Sequence, residues 1–67
     1  MTVLTDREIE IVKRVIEGKI NREIGEELFI SIHTVKRHLE SIYQKTECHS
    51  RVQLVIWAIK NAPECFF

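Results

Sequence analysis

Lys36 and Arg37 stand in the middle of a run whose side chains suit hydrogen bonding to nucleic acid: Ser31-Ile32-His33-Thr34-Val35-Lys36-Arg37-His38-Leu39-Glu40-Ser41-Ile42-Tyr43-Gln44-Lys45. Val35, Leu39 and Ile42 follow the i, i+4, i+7 spacing of a buried helical stripe. His33, Thr34, Lys36, Arg37, Glu40 and Ser41 then point mostly the other way. A short helix anchored by one face and offering such residues on the other can enter a DNA major groove. There basic side chains donate to guanine edges, and a carboxylate can accept from the cytosine amino group. Asn21 to Ile30 read as a second short helix and a tight turn, so the two segments together predict a helix-turn-helix.

Other chemistries fit the residues less well. His33, His38, Cys48 and His49 are zinc-ligand types, but their spacing is not a zinc pattern, and His33 and His38 fall on different helical faces. No metal and no cofactor is expected. Cys48 beside His49 lacks a third group to orient an activated thiol. There is no glycine-rich phosphate loop and no nucleophile elbow, and the chain has too little bulk to enclose a pocket, so catalysis is not expected.

Composition bounds the fold that must carry these side chains. A chain of 67 residues is one domain, spanning 1–67, near the size at which a single apolar core is just sufficient. Its 45% apolar content supports a compact fold, and only 2 Gly and 1 Pro favour helix over a turn-rich β architecture. No apolar run approaches the roughly 20 residues of a membrane span. The absence of a signal-peptide pattern places the chain in the cytoplasm. Two cysteines, Cys48 and Cys65, make no disulfide framework and read as free thiols. Ten basic and ten acidic residues cancel, whereas nucleic-acid binders are often basic. The distribution is polarised, however. Residues 1–30 hold five bases and seven acids, a net of −2, and residues 31–51 hold four bases and two acids, a net of +2. This small excess predicts weak non-specific binding and a need for dimerisation or an attached domain.

Four helices are predicted, over about 6–17, 22–28, 32–45 and 51–61, forming an all-α compact four-helix bundle. Thr5-x-x-Glu8 is a capping box, and Leu4 with Ile9 has the spacing of a hydrophobic staple. Ile9, Val12, Val15 and Ile16 are the expected buried stripe of the first helix, which Gly18 ends in a left-handed cap. Asn21 is the expected cap of the second helix, which buries Ile24 and Leu28. Ser31 caps the third, with Ile30 and Val35 as a staple. Ser50-x-x-Gln53 is a second capping box, and Pro63 forbids continuation of the fourth helix.

Leu4-Thr5-Asp6-Arg7-Glu8, Asn21-Arg22-Glu23-Ile24, Leu28-Phe29-Ile30-Ser31, Thr34-Val35-Lys36-Arg37-His38-Leu39, Ile42-Tyr43-Gln44-Lys45 and Ser50-Arg51 follow one another in order and spacing. This series resembles the LuxR-type (GerE-type) helix-turn-helix domain from Leu4 to about Asn61. The resemblance implies a DNA-binding domain of bacterial transcription regulation, either the output module of a response regulator or ligand sensor or a free-standing regulator. Three departures stand out. Gly25 replaces the usual alanine where the second and third helices cross, Thr46-Glu47-Cys48 replaces Leu-Gly-Val, and Glu40 replaces a lysine or small polar residue.

The expected roles follow from both lines of reading. The third helix enters the major groove with Lys36 and Arg37 nearest the bases, and Glu40 lies over the same groove. Arg22, Thr34 and Lys45 hold phosphates and set orientation. The fourth helix is apolar nearly all round. If Val52, Val55, Ile56 and Ile59 serve the core, then Leu54, Trp57 and Ala58 are left over for a homodimer contact, as the resemblance implies for this helix. The partners expected are therefore double-stranded DNA, a second copy of the chain and, in the case of an output module rather than a free-standing regulator, an N-terminal receiver or sensor domain. The competing reading is a helical protein-interaction module that has lost DNA binding, suggested by zero net charge and by Glu40 on the reading face. The operator sequence, the sense of regulation and the controlling signal are not encoded in any of these features.

Overall fold

The computed structural model describes residues 4–67, so the first three residues of the expected 1–67 domain lie outside it. Five helices follow one another: α1 Asp6–Ile16, α2 Asn21–Leu28, α3 Ile32–Thr46, α4 Arg51–Asn61 and α5 Pro63–Phe66. Helix α3 packs on both α1 and α2, α4 packs on α1 and α3, and α5 folds back onto α1 and α4. The ensemble measures 29 × 22 × 20 Å. Among the described residues, no helix is long and apolar enough to cross a membrane.

Helices α1, α3 and α4 each begin where a side chain satisfies free amides of the first turn. The Thr5 hydroxyl accepts from the Glu8 amide at 3.2 Å while the Glu8 carboxylate accepts from the Thr5 amide at 2.8 Å, completing the expected capping box. Ser31 accepts from the Thr34 amide at 3.1 Å, and Ser50 from the Gln53 amide at 3.2 Å. Gln53 differs from expectation. Its side-chain carbonyl reaches past Ser50 and accepts from the His49 amide at 2.6 Å. The Asn21 cap is also corrected. Ile20 occupies the cap position, Glu23 accepts its amide at 2.9 Å, and Asn21 becomes the first helical residue with its side chain free for another partner.

The core is built from stripes of each helix. Ile11, Val12 and Val15 of α1, Ile24 of α2, Val35, Leu39 and Ile42 of α3, and Leu54 and Ala58 of α4 form one buried cluster with Leu4 and Cys48. The buried face of α1 is turned relative to the expected Ile9, Val12, Val15, Ile16 stripe. It runs through Glu8, Ile11, Val12 and Val15, and Ile9 and Ile16 only flank it. The reason is chemical: Glu8 occupies a core-facing position because its carboxylate is fully engaged, and hydropathy alone cannot anticipate a buried acid.

Helix α4 corrects the dimer assignment. Leu54 and Ala58 are fully buried and Trp57 is half-buried against the core, whereas Val52, Ile56 and Ile59 are exposed. Leu54 and Ala58 thus join the core and Val52, Ile56 and Ile59 the surface, while Val55 and Trp57 both flank the core. A helix apolar on every side carries no phase in its pattern. Here the small Ala58 and Ala62 lie on the buried face, which lets α4 and α5 sit close to α1.

Two non-glycine residues flank α3 in the left-handed region, Phe29 at φ 59° and Glu47 at φ 58°. Each costs about 1–2 kcal/mol relative to glycine. The Thr46-Glu47-Cys48 departure thus keeps a left-handed helix end without the permissive residue. Thr46 is buried with its hydroxyl donating to the Ile42 carbonyl at 2.8 Å, and Cys48 is buried in the core. Gly25 sits under the turn between α2 and α3, where a β-carbon would lie 2.7 Å from the Ile30 carbonyl oxygen. The obstacle is backbone, so the turn must open to admit it. Gly25→Ala is expected to lower stability by about 1 kcal/mol net, the overpacking cost exceeding the helix-propensity gain. Thermal denaturation of the variant checks this.

Candidate nucleic-acid interface

Ser31 starts α3, and the Val35, Leu39, Ile42 and Thr46 stripe fixes it to the core, so the opposite side faces outward by construction. On that side His33, Lys36, Arg37, Glu40 and Gln44 are all exposed. They recur at i, i+3, i+4, i+7 and i+11, which places them on one helical face. Among the described residues none of these five side chains has a hydrogen-bond or ion-pair partner. In particular, Lys36 and Glu40 form no intrahelical salt bridge. Lys36 and Glu40 also line a shallow cleft of about 260 Å³ with Asn21, Leu39, Tyr43 and Arg51. His33 and Gln44 were not among the expected site residues. Extending the Lys36, Arg37, Glu40 phase by one turn at each end finds them.

The three residues expected to hold phosphates divide. Arg22, in the first turn of α2, is exposed. It lines a second cleft of about 470 Å³ with Lys19, Ile20, Asn21, Ile32 and Arg51. Thr34 is half-buried, with its hydroxyl 3.0 Å from that of Ser31 as part of the α3 cap. Lys45 is occupied elsewhere, because its ammonium donates to Glu8 at 2.8 Å and thereby ties the end of α3 to the start of α1. To reach a phosphate, Lys45 would leave a carboxylate that is only 4% exposed without its counter-charge. Its evident role is therefore structural.

The electrostatics of that pair set a pH dependence. Burial pushes the Glu8 carboxyl up, but the bond from Lys45, the Thr5 amide, the Ser41 hydroxyl and the Lys45 charge together outweigh it. The group therefore lies below its ordinary value of 4.5. A carboxyl depressed in the folded state adds stability that is present above its unfolded value and lost as pH falls through the folded one. Wild type is therefore expected to lose melting temperature below about pH 4.5 more steeply than Glu8→Gln. Lys45→Met should cost about 1–2 kcal/mol at neutral pH, less than a fully buried pair because its ammonium is partly solvated. Thermal melts of both variants across pH 3–7 check the pair.

A second charge cluster joins α1 to α2. Glu27 accepts from Arg14 at 2.8 Å and from Lys19 at 2.5 Å. The Lys19 bond, followed by that from Arg14, holds the Glu27 carboxyl below its usual range, and Lys19 is raised in turn. These bases are therefore neutralised within the fold. Among the described residues, Arg22, Lys36 and Arg37 are left as basic side chains without a partner around the α2–α3 surface. Among the described residues, no group of three His, Cys, Asp or Glu is placed to hold a metal ion.

A capped short helix, a tight left-handed turn and a second helix that exposes an unpartnered polar stripe define a helix-turn-helix protein. The chain belongs to the luxR family of bacterial regulatory proteins, whose GerE pattern matches residues 2–58. It is 50% identical over 58 residues to the transcriptional regulatory protein LiaR of Bacillus subtilis, covering 87% of this chain and 28% of that protein. It is 46% identical over 59 residues to the transcriptional regulatory protein DegU of Brevibacillus brevis, covering 88% and 25% respectively. The oxygen regulatory protein NreC of Staphylococcus carnosus is 41% identical over 59 residues, covering 88% and 27%. The chain thus spans between a quarter and a third of the length of these relatives.

Proposed function

We propose that this chain binds double-stranded DNA sequence-specifically for bacterial transcription regulation, with α3 in the major groove. The observation that carries the reading is the exposed stripe of Lys36, Arg37 and Glu40, without partners among the described residues, on a helix whose opposite face is buried. Side chains held ready and unpaired lose no intramolecular bond on meeting base edges. Lys36 and Arg37 donate to guanine edges, and Glu40 accepts from a cytosine amino group. Arg22, supported by the Thr34 end of α3, holds the backbone and sets the register.

Two copies pair along α4. The pairing surface is the exposed Val52, Ile56 and Ile59 ridge, with Trp57 at its edge. With so few unpaired bases, one copy makes few phosphate contacts, and two copies on half-sites about one helical turn apart double them. In the intact regulator, a receiver or sensor domain N-terminal to this one supplies the control, in keeping with the small fraction of the relatives' length that the chain spans.

Titration with a mixed-sequence duplex at two salt concentrations tests the central claim. Affinity falling steeply with salt is expected. Equally negligible binding at both concentrations would instead support a protein-interaction module that has lost DNA binding.

A further inference from the structure

Arg51, the first residue of α4, touches the segment that leads into α2. One terminal nitrogen of its guanidinium donates to the Asn21 side-chain oxygen and the other to the Lys19 carbonyl at 3.4 Å. Both acceptors are neutral, and among the described residues no carboxylate lies within ion-pair distance of Arg51. Half-burying a guanidinium on neutral oxygens is costly, and its rigid fork is suited to fixing two points at once. The two points here bracket Ile20, the cap of α2. Asn21 is available for this bond because Ile20, not Asn21, occupies the cap position of α2, so the Asn21 side chain caps no amide. Arg22 follows immediately, and Arg51 lines both clefts that meet at Asn21.

We propose that Arg51 is a positioning residue for DNA binding. It holds the first turn of α2 against α4 so that Arg22 meets a backbone phosphate, and it does not touch DNA itself. This inference rests on the DNA-binding reading above. It adds a contact from α4 that fixes the geometry of the α2–α3 surface.

The test uses the duplex that wild type selects from a randomised pool, with affinity measured over a series of salt concentrations. The proteins are wild type, Arg51→Met, Arg22→Ala and the double variant, all at a temperature where circular dichroism shows them folded. Arg51→Met is expected to weaken binding about tenfold, the scale of one lost charge-assisted hydrogen bond. It should also lower the salt slope by about 0.9, as Arg22→Ala does, because one phosphate contact is lost. The double variant should be no weaker than the weaker single variant, since both changes remove the same contact. Arg51→Lys should recover little, because an ammonium cannot bridge the two oxygens.

Additive losses, with the double variant's slope falling by about 1.8, would show that Arg51 meets a phosphate of its own and would overturn the proposal. Unchanged affinity with a lowered melting temperature would overturn it too, leaving Arg51 a purely structural residue. If Arg51→Met does not fold, Asn21→Ala cuts the same tie and carries the same expectation, and an unchanged salt slope in that variant refutes the proposal. Salt-insensitive or absent binding by wild type would instead defeat the DNA-binding reading itself.

Discussion

Replacing Lys36 and Arg37 together by alanine is expected to weaken operator binding by about 2–6 kcal/mol, summing about 1–3 for each lost base-edge contact. Stability should stay within about 0.5 kcal/mol of wild type, since neither side chain is tied to any other part of the fold. That separation makes the result readable: a loss of binding cannot be blamed on a loss of structure. Arg37→Ala alone should also change the preferred sequence, because a planar fork that reads one guanine has no substitute nearby. Glu40→Lys is expected to raise affinity for all duplexes while relaxing choice at one base pair. Fluorescence titrations on the selected operator, with a parallel selection from random duplexes, measure both effects. Unchanged operator affinity in the folded double variant refutes the assignment.

Leu54→Ala is expected to destabilise the domain by about 2–5 kcal/mol, the range for emptying a fully buried leucine site. A domain of this size has only about 3–5 kcal/mol to lose, so the variant should be unfolded or nearly so at room temperature. Ile56→Ala, two residues on, should change stability by less than about 1 kcal/mol because its side chain is half in solvent. Its effect should instead appear in assembly, as reduced cooperativity on a duplex with two half-sites and unchanged binding to one. Chemical denaturation and paired titrations on the two duplexes separate the roles. If Leu54→Ala folds normally and loses only cooperativity, the face of α4 has been assigned the wrong way round.

That contrast on α4 also marks the boundary of what the amino-acid sequence makes legible. Helix α3 could be placed closely, because Ser31, the Val35-Leu39-Ile42 stripe and Lys36-Arg37 each constrain its phase independently and agree. Four of the five helices start within a residue of where their caps indicate. On α4 the Ser50 cap fixes where the helix begins and leaves its rotation open. Rotation is decided by which neighbours the bundle brings against it, a tertiary fact that an all-round apolar pattern does not record. Glu8 completes its expected capping box, but its burial, like the engagement of Lys45, was not legible for a related reason. Each looks solvent-seeking alone, and only their encounter across 37 residues makes one a core residue and occupies the ammonium of the other within the fold. Asn21 was a sound cap by type, but Ile20 takes the cap position and Glu23 accepts its amide from inside the helix. Helix α5 was too short to show a period. It is legible only through Pro63, which suits the first position of a helix as well as it ends the previous one.

The absence, among the described residues, of internal bonds along His33, Lys36, Arg37, Glu40 and Gln44 has a bearing on how such a domain diversifies. Ordinarily a change of function competes with stability, because functional side chains are also part of the scaffold. Here the exposed stripe and the core stripe are housed on opposite sides of one helix, and among the described residues no ion pair ties the exposed stripe to the scaffold. On the DNA-binding reading proposed above, a new operator preference is therefore accessible by single substitutions that are close to neutral for folding. A lineage can pass through many address changes while Leu39, Ile42 and the Glu8–Lys45 tie stay as they are. On this scaffold, drift in what is read and persistence of the reader are separate variables.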